Sequence, residues 1–343
     1  MNRLCQSSYG SLEAVINIAG YNGNAQRQLV HFSRDKMTSQ WSACAVVSSN
    51  SQSGGSIIQN SSKHHPDQKH GDFEVVVIED GGALQHYTRD NTVPVDNGVF
   101  AWRLSATVTA ASRSTPPVTA IHAAPLVQSQ LSLDKSSNGT TLETVVIDDQ
   151  RKAIHYRCAQ YGTGNNSDER RHRWCEGRVI TDWATGPASI YKDSQFMAII
   201  PTEDGVNQYC FISNTWQFIR KVAAHGDPGC LYTIDGTPNV LLRIKHQIYV
   251  SYYSYRDVEW NTTSLSGSLA RISHTPYHRV LAINPVTVLS QPDKSHDIEA
   301  IAFHPCGTGP QDAWMVLQWS CPPNTDRWVV RNIVLPHVIG MPL

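Results

Sequence analysis

The sequence lacks the features that would assign it at once to a common class. No run approaches the roughly 20 apolar residues that a membrane-spanning helix needs, and the start, "MNRLCQSSYG", has no apolar signal-peptide segment. Charge of one sign is not in excess either, since 28 Lys and Arg balance 29 Asp and Glu. Nucleic acids and anionic membranes attract basic surfaces, which are missing here. We therefore expect small-molecule partners, no nucleic acid and no membrane span.

The motifs of common cofactor and metal enzymes are also absent. The sequence has no P-loop, no GxGxxG between a strand and a helix, no GxSxG elbow and no HExxH pair. No cysteine belongs to a CxxC pair with histidines at zinc spacing. The histidine-rich run 63–70 lacks Asp or Glu at a confirming spacing, which favours a solvated loop over a metal-binding tract. We expect no cofactor and no metal.

Cysteine is not scarce, because the chain has eight of them. Asn-x-Ser/Thr sequons occur at Asn60, Asn138, Asn165 and Asn261. An even cysteine count together with these sequons favours the mature part of a secretory protein with N-glycans over a cytosolic protein with free thiols. We therefore expect the protein in the secretory pathway or outside the cell.

One pair of cysteines has a spacing that suggests a disulfide. Cys158 and Cys175 stand at the two ends of a candidate hairpin loop, "HYRCAQYGTGNNSDERRHRWC", so we predict a bridge between them. Sequence proximity suggests the other pairs, which are Cys210 with Cys230, Cys306 with Cys321, and Cys5 with Cys44. Spacing alone does not fix connectivity, and other pairings stay open.

A unit of sequence is repeated along the chain. Residues 73–102 read "FEVVV", then "LQHYTRD", then Trp; residues 12–41 and 142–174 have the same order. Weaker copies end at Trp216, Trp260 and Trp328. One more short run, such as "SIIQNS", lies ahead of each copy. The runs are rich in Val, Ile and aromatic residues and are bounded by turn-forming residues, which is typical of strands.

Four short strands per unit, repeated six times, predict an all-β protein folded as a β-propeller of four-stranded blades. No segment of comparable length shows a helical period. We expect one propeller domain over residues 1–343, with six blades that start near residues 3, 56, 125, 188, 229 and 286. A seventh blade between residues 264 and 288 stays open.

The unit "FEVVV…HYxRDN…W" resembles the blades of bacterial propeller lectins that bind fucose. With its cysteines, sequons and divergent later blades, the chain is also similar to secreted fungal propeller proteins that act as hetero-Diels-Alderases in tropolonic sesquiterpenoid biosynthesis. That resemblance implies a reaction without metals or nucleotides. A hydroxymethyl tropolone loses water, and the resulting o-quinone methide adds to a humulene-type sesquiterpene to form a dihydropyran ring.

The tail "HYTRD" is predicted to serve blade architecture instead of chemistry. His31, His86 and His155 recur at one place in the unit, and an aromatic residue follows each. Side chains alternate along a strand, which puts Tyr87 and Arg89 on one blade face. Packing of the aromatic ring, and stacking of the guanidinium on the following Trp, would be sufficient to select these residue types.

The first strand of each blade is expected to line the central channel. One register of these strands is apolar, and the next offers amides and phenols at Gln6, Gln59, Gln128, Tyr191, Tyr232 and Ser290. These groups either satisfy one another in a narrow channel or form one ligand site. In the second case the glutamines would lie opposite Tyr191, Lys192 and Tyr232.

Loop lengths indicate which face is open to a ligand. The long insertions and all sequons fall on one face, which glycans would crowd. On the opposite face, His122, Trp183 and His225 shortly precede first strands. We assign substrate binding to Tyr191, Trp183, His122, Gln59 and Gln128. We assign catalysis to His225, Tyr232 and Lys192.

Divergence among the blades favours one asymmetric pocket, because a multivalent lectin repeats its contacts from blade to blade. The preferred function is therefore the hetero-Diels-Alderase, and the fucose-type lectin is the alternative. His225 or Tyr232 would act as an acid in the loss of water, and hydrogen bonds would stabilise charge on the tropolone oxygens. Aromatic walls such as Trp183 and Tyr191 would orient both reactants and exclude water.

Overall fold

The computed structural model describes most of the chain in separate stretches. They are residues 4–8, 10–19, 26–35, 37–60, 70–91, 101–111, 118–123, 125–129, 141–159, 173–175, 177–192, 195–234, 237–244, 247–264, 287–289, 298–305, 313–321 and 329–339. Apart from a short 3-10 turn at Thr109–Ala111, the regular elements in these stretches are all β-strands. These stretches therefore contain no helix that could span a membrane.

The strands form six antiparallel sheets that succeed one another along the chain. Sheet 1 consists of β1 (Leu4–Gln6), β2 (Leu12–Ala19), β3 (Arg27–Arg34) and β4 (Trp41–Ser48). Sheet 2 consists of β5 (Ser56–Gln59), β6 (Phe73–Ile78), β7 (Leu84–Arg89) and β8 (Trp102–Thr107). In both sheets each strand pairs with its neighbour in the chain, as short connections favour.

Sheet 3 is the irregular one, because its first and fourth positions are each divided into two strands. It consists of β9 (Ala120–Ala123), β10 (Val127–Ser129), β11 (Thr141–Asp148), β12 (Ala153–Ala159), β13 (Arg173–Trp174) and β14 (Arg178–Thr181). Both β9 and β10 pair with β11, and both β13 and β14 pair with β12. The sheet therefore keeps the four-strand plan of its neighbours.

Sheets 4, 5 and 6 return to four strands in chain order. Sheet 4 consists of β15 (Ser189–Lys192), β16 (Phe196–Thr202), β17 (Gly205–Ile212) and β18 (Thr215–Ala223). Sheet 5 consists of β19 (Asp227–Ile234), β20 (Thr237–Ile244), β21 (Gln247–Ser254) and β22 (Glu259–Ser264). Sheet 6 consists of β23 (Thr287–Leu289), β24 (Ile298–Pro305), β25 (Ala313–Cys321) and β26 (Val329–Ile339).

Burial falls from the second strand of a sheet to the fourth. Strands β6 (FEVVVI) and β11 (TLETVVID) are buried at every position, whereas β4 and β18 are largely exposed. A strand covered on both faces needs a near-continuous apolar run. The "FEVVV" part of the repeat is therefore the strand that neighbouring sheets cover on both sides.

Apolar clusters join consecutive sheets. Leu29 of sheet 1 packs with Phe73 and Val75 of sheet 2, and Val145 of sheet 3 packs with Phe196 of sheet 4. The first strands also meet one another: β1 contacts β5 and β23, β15 contacts β10 and β19, and β19 contacts β23. Consecutive sheets are thus packed on one another, and their first strands contact one another.

Two tryptophans donate hydrogen bonds to the sheet that precedes their own. Nε1–H of Trp174 donates to Nδ1 of His86 at 3.4 Å, and Nε1–H of Trp216 donates to Nδ1 of His155 at 3.3 Å. Each indole meets its imidazole edge to face, with ring centroids 5.6 and 5.3 Å apart. Unlike apolar contact, these bonds fix the position of one sheet relative to the next.

Each of these histidines also bonds a glutamate in the second strand of its own sheet. Nε2 of His86 lies 2.9 Å from Glu74, and Nε2 of His155 lies 2.8 Å from Glu143, with all four side chains buried. Because an indole N–H only donates, Nδ1 is the acceptor and the imidazole proton is on Nε2. Each histidine is therefore a neutral ring that donates to a carboxylate and accepts from a tryptophan.

Sheet 1 contains a variant of this arrangement. His31 bonds Glu13 at 2.9 Å, but its Nδ1 faces Nη1 of Arg89 at 3.2 Å. Trp102 packs edge to face on His31, and its Nε1 has no hydrogen-bond partner among the described residues. Arg89 lies over the ring of Phe73 of its own sheet at 4.8 Å, and stacking of the guanidinium on the following Trp stays a prediction.

In sheet 4 the histidine is replaced by Gln208, whose Oε1 accepts Nε1–H of Trp260 at 3.0 Å. The glutamate position is occupied by Met197, which pairs with Tyr191. Tyr191 therefore aligns with the first-strand residues that pair with the glutamates in the other sheets. Lys192 aligns with the first-strand glutamines. The predicted alignment, which put Tyr191 among the glutamines, is one residue off, and in a strand one residue means the other face.

Five cysteines whose side chains the structure describes are free thiols, namely Cys5, Cys44, Cys158, Cys175 and Cys210. Cys158 is buried and pairs with Trp174, and the next residue, Cys175, is exposed. Burial raises the pKa of the Cys158 thiol, and the nearby Cys175 acts in the same direction. The predicted Cys158–Cys175 bridge is not formed in this structure.

The predicted Cys5–Cys44 pair conflicts with the order of the strands. Cys5 lies in β1 and Cys44 in β4, with two strands between them. Three strand spacings are roughly 14 Å, which is farther than a disulfide spans. Cys210 is likewise unbridged, so its pairing with Cys230 is not formed; Cys306, the proposed partner of Cys321, lies outside the described residues.

The sequon at Asn60 is buried. Its Nδ2 donates to Glu74 at 3.3 Å, and its Oδ1 accepts a hydrogen bond from Gln128. A glycan on Nδ2 would need space where the side chain is 1% exposed, so Asn60 was wrong as a glycosylation site of the folded protein. Asn261 is half-buried on β22. Asn138 and Asn165 lie outside the described residues, and glycosylation there stays a prediction, as does secretion.

The neutral histidines predict a loss of stability in mild acid. Burial lowers the pKa of His155, with Arg157 and Arg178 acting in the same direction against Glu143, which raises it. As pH falls below about 6.5, the unfolded chain takes up a proton that the folded chain does not, so the free energy of unfolding decreases. A His155→Gln variant keeps an acceptor for Trp216, as Gln208 does for Trp260.

Between neutral pH and about pH 5, the free energy of unfolding should decrease by roughly 1 kcal/mol less in His155→Gln than in the parent protein. The measurement is urea unfolding at both pH values. His225→Gln is the matched control for the change of histidine to glutamine, because His225 is exposed. An unaltered pH dependence in His155→Gln would show that His155 is protonated in the folded state.

Candidate ligand-binding site

The structure separates the predicted site residues into two groups. His122 lies in β9 of sheet 3, and Trp183 and His225 lie before the first strands of sheets 4 and 5, all at the edge where second strands turn into third strands. Lys192 and Gln59 end first strands, at the opposite edge. Tyr191 and Gln128 are next to last in their strands, at that same edge. Tyr232 is in β19, but its side chain is outside the described part of the chain.

The glutamines at the far edge make structural contacts. Oε1 of Gln59 accepts the backbone N–H of Ser8 at 2.5 Å, and its Nε2 donates to the carbonyl of Gly71 at 3.0 Å. Gln128 donates to Asn60 of the preceding sheet. These amides therefore join neighbouring sheets. This matches the alternative in which the glutamines hydrogen-bond within the protein and form no ligand site.

Two adjoining cavities open at the edge that contains Trp183 and His225. The aromatic cavity, about 390 Å³, lies between sheets 3 and 4 and is lined by Trp183, Glu203, Asp204, Asn207, Tyr209 and Phe218. The histidine cavity, about 310 Å³, lies between sheets 4 and 5 and is lined by Thr185, Pro201, Glu203, Gly205, His225 and Asp227. Thr202 and Glu203 line both, so the two cavities share a wall.

That shared wall is the turn between β16 and β17. Thr202 and Asn207 both donate to Oδ1 of Asp204, the latter at 2.9 Å, and the Asp204 carbonyl accepts Nζ of Lys221 at 2.5 Å. Hydrogen bonds from Thr202 and Asn207 lower the pKa of Asp204. Gly205 closes the turn at φ 140°, a conformation that favours glycine. Asp204 is thereby held ionised beside the aromatic cavity.

Asn207 lines the aromatic cavity and has a buried hydrogen-bond acceptor without a partner among the described residues. The residue is 3% exposed, and its Nδ2 donates to Asp204 and, at 2.7 Å, to Thr202. Its Oδ1 has no partner among the described residues. Rotating the amide would set that oxygen against the Asp204 carboxylate, so the Asp204 charge fixes the orientation. A buried acceptor without a partner is costly, and a donor from a ligand would satisfy it.

Exposed aromatic side chains flank this acceptor. Trp183 is 65% exposed and Phe218 is 57% exposed, although both are large and apolar. Phe218 packs edge to face on the buried Tyr209 at 5.9 Å, which holds it in place. Glu203, on the same rim, forms a 2.8 Å ion pair with Arg151. The site can therefore pack a flat apolar face and accept several hydrogen bonds.

The histidine cavity brings together residues from neighbouring sheets. His225 and Asp227 line it. Burial lowers the pKa of His122, and the charge of Asp227 acts in the opposite direction, which places Asp227 near His122 although the two belong to different sheets. No group of three His, Cys, Asp or Glu residues that could hold a metal occurs in the described part of the chain.

The sequence analysis named Trp183 and His225, which line these two cavities, and His122, which is not among their lining residues; it did not name Asp204, Asn207 or Phe218. The missed residues belong to the third and fourth strands of sheet 4 and to the turn before them. The signal available was the "TEDG" turn, which falls at the same edge as His225. Nothing in the sequence marks Asn207, because an unpaired acceptor is visible only when its neighbours are known.

The turn predicts a specific effect of Gly205→Ala. A Cβ at Gly205 would meet the carbonyl oxygen of Ala223 at 2.6 Å, in addition to the backbone strain. We expect a loss of about 1 to 3 kcal/mol in the free energy of unfolding. Gly81→Ala is the control, since φ is 89° there but nothing lies within 4 Å of the added Cβ. Denaturant unfolding measures both, and equal losses would contradict a role for the Ala223 contact.

Comparison with known proteins gives a likeness of fold. No family model matches the chain, and no curated protein matches it. A putative 6-phosphogluconolactonase from Bacteroides fragilis is similar over 98% of this chain and 86% of its own, with 10% identity and a TM-score of 0.51. One from Bacteroides uniformis covers 94% and 82%, with 11% identity and a TM-score of 0.50. SapL1 lectin, solved with α-methyl fucoside, covers 94% and 96%, with 9% identity and a TM-score of 0.47. At these identities the chain shares an all-β fold with the solved structures, and its ligand has to be argued from its own site.

Proposed function

We propose that the protein binds a carbohydrate at a single site, the aromatic cavity. The observation that carries the proposal is the unpartnered Oδ1 of Asn207, among the described residues, beside the exposed rings of Trp183 and Phe218. A sugar has an apolar face that packs on aromatic rings and hydroxyl groups that donate to amide and carboxylate oxygens. Asn207 and Asp204 supply such oxygens on one side, and the two rings supply the apolar surface.

The repeated residues of the sheets favour one site over several equivalent ones. Binding sites repeated around a lectin need side chains that face solvent. The recurrent histidines and glutamates, such as His86 with Glu74, are instead fully buried and bond one another. The "TEDG" turn with Asn207 is confined to sheet 4. The ligand site is therefore built from parts that the sheets do not share.

The finer fold that supports this site is a closed six-bladed propeller over residues 1–343, in which each sheet is one blade. Contacts of β23 with β1, and of β26 with β2 and β4, join the last sheet to the first. Gln318 pairs with Ile301 in sheet 6, the register position at which sheet 1 has His31 paired with Val15. A residue with an amide in its side chain, as Gln208 has in sheet 4, thus occupies this register position in the last sheet.

A tryptophan substitution tests the carbohydrate site. Calorimetric titration with L-fucose, cellotriose and chitotriose should give one site per chain for at least one of them. Trp183→Ala should weaken that binding about tenfold, because it removes the larger stacking surface. Tyr255→Ala is the control, since Tyr255 is 64% exposed on sheet 5 outside the cavity. Several equivalent sites per chain, or no heat with any of the sugars, would contradict the proposal.

A hetero-Diels-Alderase activity is the second candidate, and one observation favours it. His225 lies in a cavity that adjoins aromatic walls. An acid there would protonate the departing hydroxyl of a hydroxymethyl tropolone, which leaves as water, and the o-quinone methide would add to the double bond of a humulene-type sesquiterpene. Lys192 ends β15 at the opposite edge, so the acid role falls to His225 in this proposal.

The cycloaddition is tested by incubating the protein with a hydroxymethyl tropolone and humulene and measuring the dihydropyran product by mass spectrometry. His225→Ala should lower the rate by roughly a hundredfold, the range for loss of a general acid. His70→Ala is the control, because His70 bonds Ser8 at the other edge of the sheets. Full turnover by His225→Ala would remove this residue from the mechanism, and no product with the parent protein would overturn the candidate.

A further inference from the structure

The two ends of the Asn207 amide have different surroundings. Its Nδ2 donates to Oδ1 of Asp204 at 2.9 Å and to Oγ1 of Thr202 at 2.7 Å. Its Oδ1 has no partner among the described residues, although Asn207 is only 3% exposed. An amide can turn about its last bond and exchange a donor for an acceptor. What Asn207 presents in the aromatic cavity that it lines therefore depends on which neighbour fixes its orientation.

Thr202 is a weak selector of this orientation. A hydroxyl group both donates and accepts, so Oγ1 of Thr202 could receive a hydrogen bond from the Asn207 nitrogen or give one to the Asn207 oxygen. Its single hydrogen is shared between two acceptors, Oδ1 of Asp204 and the carbonyl oxygen of Gly205, the latter at 2.9 Å. The hydroxyl alone therefore allows the amide to take either orientation.

Asp204 is the strong selector, because an ionised carboxylate only accepts hydrogen bonds. A turned amide would set the Asn207 oxygen against Oδ1 of Asp204 and lose a charge-assisted hydrogen bond. Hydrogen bonds from Thr202 and Asn207 lower the pKa of Asp204, which keeps the carboxylate ionised at neutral pH. Nζ of Lys221 lies 4.0 Å from Oδ2, the second oxygen. The negative group that orients Asn207 is thus held at both of its oxygens.

We propose that Asp204 determines the specificity of the carbohydrate site: it holds Asn207 as a hydrogen-bond acceptor, so the site selects sugars with a hydroxyl that donates at this position. The inference rests on the proposed carbohydrate binding at the aromatic cavity. Asp204 is a positioning residue in this role, since it acts through Asn207. A site built around a buried acceptor rejects an analogue that cannot donate to it, because the acceptor is then left unpaired.

Fluorinated sugars separate donation from acceptance, because fluorine replaces a hydroxyl group at similar size and cannot donate. The probes are L-fucose, cellotriose and chitotriose, each with analogues in which one hydroxyl at a time is replaced by fluorine. Calorimetric titration measures their affinities. For the sugar that binds the parent protein, one analogue should bind roughly tenfold or more weakly than the unmodified sugar. We call this loss the fluorine penalty.

Asp204→Asn should remove most of the fluorine penalty. The new amide keeps the size of the side chain but can donate to the Asn207 oxygen, so either end of Asn207 can then meet the ligand. The weak analogue should recover to within about threefold of the unmodified sugar. The unmodified sugar should bind nearly as before, because a hydroxyl both donates and accepts, and this binding shows that the variant is folded. Asp204→Ser, whose hydroxyl has the same two roles, replaces the variant if it does not fold.

Two further variants assign the effect to the pair Asp204 and Asn207. Asn207→Ala removes the acceptor and should abolish the fluorine penalty at the same hydroxyl position. Asp182→Asn is the matched control for loss of a negative charge, because Asp182 is an exposed neighbour of Trp183 and does not line the aromatic cavity. It should preserve the penalty.

The outcomes distinguish this inference from the function on which it rests. An undiminished fluorine penalty in Asp204→Asn, or one that survives Asn207→Ala, would overturn the role of Asp204 and leave the carbohydrate site intact. Equal binding of every analogue by the parent protein would do the same. Loss of the unmodified sugar by folded Asp204→Asn would show that Asp204 contacts the sugar directly, against a positioning role. No binding of any of the sugars would overturn both proposals.

Discussion

The hydrogen bond from a tryptophan to the sheet before it is the constraint on which the arrangement of the sheets depends. Apolar packing between sheets is strong but not directional, so it does not by itself fix how one sheet lies on the next. The bond from Trp216 to His155 fixes that geometry, and it requires a neutral imidazole. The imidazole in turn requires Glu143 as the acceptor for its other nitrogen. Burial would raise the pKa of Glu143, yet the bond from His155 and the charge of Arg157 keep it lowered. A buried carboxylate is tolerated only with such partners, so histidine and glutamate occur together in sheets 1 to 3.

Sheet 4 has a variant of this hydrogen-bonded set that contains no buried carboxylate. Gln208 keeps the acceptor for Trp260, but Met197 removes the buried charge. A neutral amide performs the inter-sheet function without a carboxylate to satisfy. The aromatic and histidine cavities lie on the two sides of this same sheet and share the turn between β16 and β17. Because the bond between sheets is made by strand residues, the turns at the edge are free to differ, and this is where sheet 4 acquires Asp204 and Asn207.

Much of the strand plan arises from local sequence. The first strands begin at Leu4, Ser56, Val127, Ser189, Asp227 and Thr287, close to the predicted starts near 3, 56, 125, 188, 229 and 286. Apolar runs and glycine-bounded turns are local signals, which is why the sequence alone indicates where the strands begin. Strand pairing is not local. The register of Tyr191, which differs from the prediction by one residue, depends on the neighbouring strand. The burial of Asn60, which leaves no space for a glycan, depends on the neighbouring sheet. The glutamate of "FEVVV" was visible as a recurring letter, but its histidine partner becomes evident only when β6 and β7 are paired.

The contrast between two similar turns explains why the site belongs to sheet 4. Sheet 2 has "EDGG" where sheet 4 has "TEDG". In sheet 2, however, Glu79 accepts hydrogen bonds at 2.5 Å from both Tyr87 and Ser48, and burial together with the Glu79 bond raises the pKa of Tyr87 to about 12. That carboxylate is engaged within the protein. In sheet 4, Asn207 instead donates to Asp204 and Thr202, and its oxygen has no partner among the described residues. Acidic turns recur in this fold, and the proposed carbohydrate site rests on the one that lies next to an unsatisfied acceptor and exposed rings.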